Sequence, residues 1–443
     1  MAKPAPGHEP RTGRPTVEPV RVLVFPGGTE SGLEIWRSLR WRRDLQLYSA
    51  GAPVSSHAPY VFARHRTVPP VSDPRWRPAL ARVVRRDRID LIYPAHDDVT
   101  VALARSASGI PARVVMSPLR TCLVCRSKRA TYAALKGAVR VPRTYAPTRV
   151  ARYPVFVKPD RGQGSQDTHL VRDPEELARL TAGDRDRYVV SEYLPGAEYT
   201  VDCFTDRRGV LQYVGGRRRV RVRNGIAVDT VAETDPVFAR IARRIGSRLR
   251  FRGAWFFQLK RDARGRLALL EVAPRVAGSM AMDRVLGANL PLLSVFDALD
   301  RDVRVLTNEF PVRMDRALTN RFVHPLKFRR AYVDLDDTLI VRGRPNPEVL
   351  RFLYDSKARG VRLILVTRHA GSVAATLRRH RLSEIFDEIR PVPVGASKAE
   401  VIEARRGAIF VDDSFAERSD VARRTGLPTF DCGMIELLLD DRV

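Results

Sequence analysis

The chain has 443 residues, a formal charge of +28 and 44% apolar side chains, which is length for about three ordinary domains and enough apolar content for packed cores. Of its 78 basic residues only eight are lysines, and the 70 arginines are spread over every segment rather than gathered with aromatics. A spread of this kind has the look of coding bias and argues against a nucleic-acid partner, whose footprint is a basic patch. Four cysteines are too few for a disulfide framework, and Cys122 and Cys125 lack the second CxxC or the histidine pair of a zinc site. No stretch reaches about 18 consecutive apolar residues, so the chain is read as reduced, cytoplasmic and without a membrane span.

Residues 1–19 are rich in Pro, Gly and Arg and lack the apolar run of a signal peptide or anchor, so they are expected to be a disordered tail. From Val20 strands and helices alternate: Arg21–Phe25, the loop Gly27-Gly28-Thr29-Glu30-Ser31-Gly32, a helix through Leu39, a strand at Leu45–Tyr48, a helix near Ala79–Arg86 and a strand Leu91–Pro94. This pattern predicts a three-layer parallel sheet. The loop reads GGTxxG rather than GxGxxG, and no ribose-binding acid ends the second strand, which speaks against a nicotinamide cofactor. His96, Asp97 and Asp98 lie just past a strand end, where they either line a substrate cleft or cap the following helix.

The middle segment carries a second pattern. A strand at Tyr153–Pro159 bears Lys158 and runs into Asp160-Arg161-Gly162-Gln163-Gly164-Ser165, whose small residues let backbone N–H groups approach phosphates. Further on come Tyr188–Leu194 with Glu192, a Pro-Gly break and Glu198; then strands Trp255–Gln258 and Leu267–Glu271 joined by a turn at Ala263-Arg264-Gly265. Antiparallel pairing across that turn brings Gln258 beside Glu271, and Arg275 follows.

In that order these residues resemble the ATP-grasp superfamily, especially its carbamoyl-phosphate synthetase and biotin carboxylase branch, over roughly residues 20–310. The resemblance implies ATP held between two α+β lobes with Mg2+ or Mn2+, after a parallel-sheet domain at 20–117. Lys128 and Lys158 would contact the phosphates and base region, and Gly162, Gly164 and Ser165 would belong to a mobile lid. Glu192, Tyr193 and Leu194 would line the adenine pocket and Glu198 would bind ribose. Gln258 and Glu271 would hold the metal, and Arg275 would steady the transferred phosphoryl group. Where the family has an E-x-N-P-R pattern this chain has Ala273, which cannot ligate a metal. The implied activity is ligation of a small-molecule carboxylate to an amine, or less often a thiol, through an acyl phosphate. Arg217, Arg218, Arg219, Arg221 and Arg223, with Asn224-Gly225, suit either an anionic substrate or a solvated strand edge.

Alternating apolar positions between Asn308 and Leu326 suggest strands in a linker over 311–328. Beyond it Ala331-Tyr332-Val333 reads as a buried strand closed by Asp334-Leu335-Asp336-Asp337-Thr338. Two carboxylates on one side of a strand end repel unless a cation sits between them, and Mg2+ prefers one or two carboxylates with water and phosphate. A second apolar run ends in Thr367, Lys398 opens an expected helix, and a third run ends in Asp412-Asp413. These four features resemble the haloacid dehalogenase (HAD) superfamily of aspartyl-phosphate phosphatases over about the last quarter of the chain. By that resemblance Asp334 attacks phosphorus, and Asp336 protonates the leaving group and then activates water. Thr367 and Lys398 hold the phosphoryl group, and Asp334, Asp336, Asp412 and Asp413 bind Mg2+. The spacings leave no room for a large cap.

The fold class is therefore α/β and α+β multidomain: the parallel-sheet domain, a two-lobed ATP-grasp domain over 118–310, and a C-terminal Rossmannoid HAD domain over 329–443 acting on a phosphorylated substrate. The competing reading is a nucleotide- or nucleic-acid-binding regulatory protein built on degenerate enzyme folds. The residues leave the oligomeric state open.

Overall fold

A computed structural model describes residues 18–184, 186–322, 324–403 and 406–442. The tail expected over 1–19 lies almost wholly outside them. The chain divides into two compact units, one ending at residue 318 and the other spanning 319–442. None of the described helices is long and apolar enough to cross a membrane.

In the first unit, β1 (Val20–Phe25), β2 (Leu45–Gly51), β3 (His65–Thr67), β4 (Leu91–Pro94) and β5 (Arg113–Val114) form a parallel sheet in the order β3-β2-β1-β4-β5. Side chains alternate across a strand, so Val22 and Val24 join Ile35 and Trp36 in one core while Leu23 and Phe25 join Leu80 and Leu103 in another. Both faces of β1 are thus covered, as a parallel sheet requires. The connecting helices are Glu30–Leu39, Trp76–Asp87 and Asp97–Ser106.

A small antiparallel sheet follows, built from β6 (Thr144–Tyr145), β7 (Val155–Pro159), β8 (His169–Val171) and β9 (Tyr188–Glu192) in the order β6-β9-β7-β8. The largest sheet takes β10 (Glu198–Thr205), β11 (Leu211–Arg223), β12 (Ile226–Ala232), β13 (Gly253–Arg261), β14 (Leu267–Ala273) and β15 (Arg313–Asp315) in the order β14-β13-β10-β11-β12-β15. Its far face packs Tyr199, Val201, Trp255 and Phe257 against the helix Pro236–Gly246. The strands expected through the linker reduce to β15, which pairs with β12; the remaining described residues between 316 and 328 are irregular. Alternation alone cannot make a strand where no neighbouring edge offers hydrogen bonds.

The second unit is a parallel sheet of β16 (Arg330–Val333), β19 (Arg362–Thr367), β20 (Glu388–Pro391), β21 (Ala408–Val411) and β22 (Thr429–Phe430), ordered β20-β19-β16-β21-β22. Between β16 and β19 lie a two-stranded hairpin, β17 (Ile340–Val341) with β18 (Arg344–Pro345), and the helix Pro347–Ala358. Between β19 and residue 398 there is the helix Val373–Arg379, with β20 after it. Neither insertion is a domain. The helix expected at Lys398 is a single 3₁₀ turn, Lys398–Glu400, capped by the Ser397 hydroxyl. Val401 ends it as the chain turns back toward β21.

Candidate active sites

In the first unit, one face of the large sheet is polar because its in-register residues share a side. Arg217 on β11 faces Thr200 on β10, Thr200 faces Gln258 on β13, and Gln258 faces Glu271 on β14. The pairing of Gln258 with Glu271 is the one expected across the 263–265 turn. One row away, Glu198 lies between Arg219 and Lys260; on the other side Phe256 separates Asp202 from Ala273.

Two adjoining cavities open over this face. The smaller, about 140 Å3, is lined by Phe156, Lys158, Glu192, Tyr193, Leu194 and Glu198. The larger, about 650 Å3, reaches Ser31, His96, Asp97 and Arg275. Lys128, Gly162, Gly164, Ser165, Gln258 and Glu271 belong to both. Every residue singled out for ATP and its metal therefore lines one continuous cleft, except that Arg275 is confined to the larger part.

The cations within it are held differently. Lys158 Nζ lies 3.3 Å from the Leu270 carbonyl and Lys128 Nζ 3.3 Å from that of Gly162. Burial lowers both, Lys158 to about 8, with Glu271 opposing the shift in each case. Arg275 makes a two-pronged ion pair with Asp97, at 2.7 and 2.8 Å, rather than standing free for a phosphoryl group. Glu198 accepts from Arg219 at 2.6 Å and lies 3.4 Å from Lys260. Glu192 turns to Arg140 and the Arg143 backbone N–H. Ala273 is 6% exposed and lines the larger cavity without a ligand atom.

The His96 segment caps a helix and also borders the cleft, with Asp98 outside the cavity lining. The His96 side chain accepts from the Asp98 N–H as the helix cap, while His96 and Asp97 line the larger cavity. Burial holds His96 below its ordinary value, with Asp97 and Asp98 opposing. The five-arginine run divides as well: Arg217 is 2% exposed and ion-paired with Asp202 at 2.7 Å, whereas Arg218, Arg221 and Arg223 are exposed. Behind Arg217, Asp202 and Asp283 are buried together, and Tyr213 donates to Asp283 at 2.9 Å. Burial, with Asp202 beside it, raises Asp283 far above the usual carboxylate range.

In the second unit the parallel strands end together, so the residues following β16, β19 and β21 meet at one edge. Asp334 and Asp412 each lie 2.6 Å from Lys398 Nζ. Oxygens of Asp334, Asp412 and Asp413 all fall within 4.8 Å of one another. Asp336, in contrast, is about half exposed and outside that cluster, with the His369 Nδ1 3.0 Å from both of its oxygens. Its assignment to the metal is corrected accordingly: the strand has ended by Val333, so period-two geometry no longer holds two residues beyond Asp334. Thr367, 2% exposed, ends β19 and accepts from the His369 N–H at 3.1 Å.

Burial foremost, with Asp412 adding and Lys398 opposing, pushes Asp334 up to about 7. Against burial, Asp334 and Asp412 hold Lys398 above its ordinary value. Two residues given no role from sequence complete this edge. Thr338 donates to Asp413 Oδ1 at 3.1 Å and accepts from the Asp413 N–H at 2.9 Å. His369 bridges Asp336 and the Thr376 hydroxyl, 2.8 Å from its Nε2. Their only sequence signals were the last letter of DxDxT and a histidine two places after Thr367.

Comparison with known proteins bears on the first unit. Residues 184–318 match the family described as ATP-grasp in the biosynthetic pathway with Ter operon. D-alanine–D-alanine ligases of Thermotoga sp. strain RQ2 and Thermotoga maritima are each 30% identical over 123 residues. That stretch is 26% of this chain and 41% of theirs, so the chain spans well under half the length of these curated relatives. Among solved structures, biotin carboxylase of Campylobacter jejuni superposes with a TM-score of 0.56 at 13% identity, covering 65% of this chain and 73% of that one. N5-carboxyaminoimidazole synthetase of Staphylococcus aureus, complexed with ADP, gives 0.56 at 15% identity, covering 68% and 83%. The biotin carboxylase domain of Hydrogenobacter thermophilus 2-oxoglutarate carboxylase, with MgADP and bicarbonate, gives 0.54 at 15%, covering 64% and 70%. The chain therefore carries the ATP-grasp fold, of the kind found in biotin carboxylase and N5-carboxyaminoimidazole synthetase.

Proposed function

We propose that the protein is an ATP-dependent carboxylate–amine (or carboxylate–thiol) ligase joined to a Mg2+-dependent phosphatase of the HAD type. The observation that carries the ligase half is the cross-strand pair Gln258–Glu271 on the floor of a cleft that Lys128, Lys158 and the 162–165 loop also line. Sequence relatives include D-alanine–D-alanine ligases, and solved structures of this fold include complexes with ADP and MgADP. Hard oxygen donors at Gln258 and Glu271 fit Mg2+, which when bound would neutralise charge on the triphosphate.

Lys128 and Lys158 would hold the nucleotide phosphates, and Glu192, Tyr193, Leu194 and Glu198 would seat its base and ribose. The acceptor carboxylate oxygen takes the γ-phosphoryl group and ADP leaves. An amine nitrogen then attacks the acyl carbon, loses a proton, and phosphate departs. Arg275, anchored by Asp97, would orient the acceptor at the phosphoryl end. The test is Mg2+-dependent ADP release with a panel of amino acids and dicarboxylates, using hydroxylamine as a general nucleophile to trap acyl phosphate as hydroxamate. No turnover with any acid, together with tight salt-sensitive RNA or DNA binding, would favour the regulatory reading instead; Ala273 is the feature that supports it.

For the second unit the supporting observation is the cluster of Asp334, Asp412 and Asp413, the first two in contact with Lys398. A divalent cation there would offset charge on the phosphate oxygens. The Asp334 carboxylate attacks phosphorus while Asp336, steered by His369, gives its proton to the leaving oxygen. Asp336 then takes a proton from water, which attacks the aspartyl phosphate and releases phosphate. Thr367 and Lys398 would hold the phosphoryl oxygens. Phosphate release from p-nitrophenyl phosphate, lost on Asp334→Asn, tests this half.

A further inference from the structure

The larger cavity of the first unit has two chemically different ends. Gln258 and Glu271 lie on β13 and β14, at one end of the sheet, and Arg275 follows β14. Arg217 lies on β11, and Arg316 follows β15 at the opposite end. Strands sit about 4.8 Å apart, so the row from Glu271 through Gln258 and Thr200 to Arg217 spans about 14 Å of backbone. Both ends line the same 650 Å3 cavity. A triphosphate clamped by Lys128, Lys158 and a metal on Glu271 accounts for the first end only.

The arginine end has unmet hydrogen-bonding capacity. Arg217 is 2% exposed; its Nε and one Nη bind Asp202 at 2.7 and 3.2 Å, and its other Nη has no acceptor. Arg316 pairs with Glu30 through one Nη, while the second is buried without a partner. Arg219, shared with the nucleotide half, has Nη contacts to Glu198 and the Gly225 carbonyl but a buried Nε with none. A buried guanidinium N–H left without an acceptor is unfavourable, and three beside one cavity mark a place where a ligand supplies the oxygens. Each arginine lining the cavity already has a carboxylate partner, Arg126 with Asp98, Arg217 with Asp202, Arg219 with Glu198, Arg275 with Asp97 and Arg316 with Glu30, so what remains for a ligand is unmet N–H capacity rather than unpaired charge. Arginine in particular suits planar or forked oxyanions, because its rigid fork matches carboxylate and phosphate oxygens.

We infer that the acceptor is a two-ended acid, whose reacting carboxylate meets the γ-phosphate beside Arg275 while a second anionic group, a phosphate ester or another carboxylate, is held by Arg217 and Arg316. This rests on the ligase reading, which names the end that reacts. The second anion fixes the length of the acid and keeps its far end out of the phosphoryl path.

The test uses the full chain, Mg2+-ATP and hydroxylamine with three acids of similar length: butyrate, glutarate and 3-phosphooxypropionate. The expected result is ADP release with kcat/KM about tenfold or more above butyrate for one or both dianionic acids, as a charge-assisted contact provides. Whichever is preferred tells phosphate from carboxylate. Arg316→Gln removes that preference by raising KM for the two-ended acids toward that for butyrate. Arg217→Gln does the same if it folds; Arg316, outside any strand, decides the matter if it does not. In parallel, calorimetry measures binding of the same acids with Mg2+ and a non-hydrolysable ATP analogue. Equal rates for butyrate and the dianions overturn the inference and leave the ligase reading standing. Absence of ADP release with every acid, alongside dianion binding that Arg316→Gln weakens, overturns the ligase reading and keeps the anion site. No binding of either dianion overturns the site itself.

Discussion

The two candidate sites are charged in opposite senses before anything binds. In the second unit, Asp334, Asp412 and Asp413 cluster with one lysine, Lys398, on the first two, so the site calls for a further cation. In the first, Lys128 and Lys158 rest on backbone carbonyls while the arginines around them are paired with carboxylates, so the two lysines are the charges left to meet an anion. The contrast follows from what each would hold. A nucleotide donor brings several negative charges and must be met by positive ones, whereas an aspartyl nucleophile is itself negative and can approach a phosphate only when a metal and a lysine offset both.

Changes on either side of that contrast separate the two chemistries. The largest effect is expected for Asp334→Asn, which removes the oxygen proposed to attack phosphorus: p-nitrophenyl phosphate hydrolysis should fall about a thousandfold or more, with ADP release untouched. Loss of both activities would break the idea of independent sites. Glu271→Gln should do the converse, lowering ADP release about a hundredfold by weakening the metal and sparing hydrolysis.

A smaller and graded effect belongs to pH. Lys158 sits at about 8 in the fold against a usual 10.5, so the unliganded protein loses this charge as pH rises through 8. Mg2+-ATP affinity should then weaken by up to about tenfold per pH unit above 8, and Lys158→Met should flatten the profile; binding measured at pH 7 and 9.5 reads this directly. The sign for stability is the reverse. Between about 8 and 10.5 the unfolded chain holds the proton that the folded one has released, so Lys158 contributes increasing stability with pH. The smallest effect is expected at His369, which contacts Asp336 and is proposed to steer it without touching phosphate: His369→Ala should lower kcat for p-nitrophenyl phosphate by about fivefold to tenfold with little change in KM, and His369→Asn should restore part of it.

Much of this was legible from short range. The lysine-bearing strand before the 162–165 glycine loop, the Gln258–Glu271 pair and the carboxylate-terminated strand at Asp334 all depend on neighbours a few residues apart or on one tight turn, and local periodicity carries that information. The alternation of the linker predicts strands that find no edge to pair with beyond β15, and the residues before Lys398 predict a helix where the chain makes a single turn, because a capping serine looks the same before either. Strand periodicity, extended past the last strand residue, puts Asp336 beside Asp334, where the fold does not keep it.

Asp97 with Arg275, Glu30 with Arg316, Asp202 with Arg217, and His369 with Asp336 had no sequence signal. Each joins residues from different elements, and in a chain with 70 arginines no single one announces a partner. Backbone sterics and side-chain alternation act over a few residues, so most strands, and the strand ends that carry carboxylates, can be read along the chain. Which charges are neutralised and which remain to meet a ligand depends on distances across the sheets and on how far each pair is removed from water, and these exist only in the folded chain.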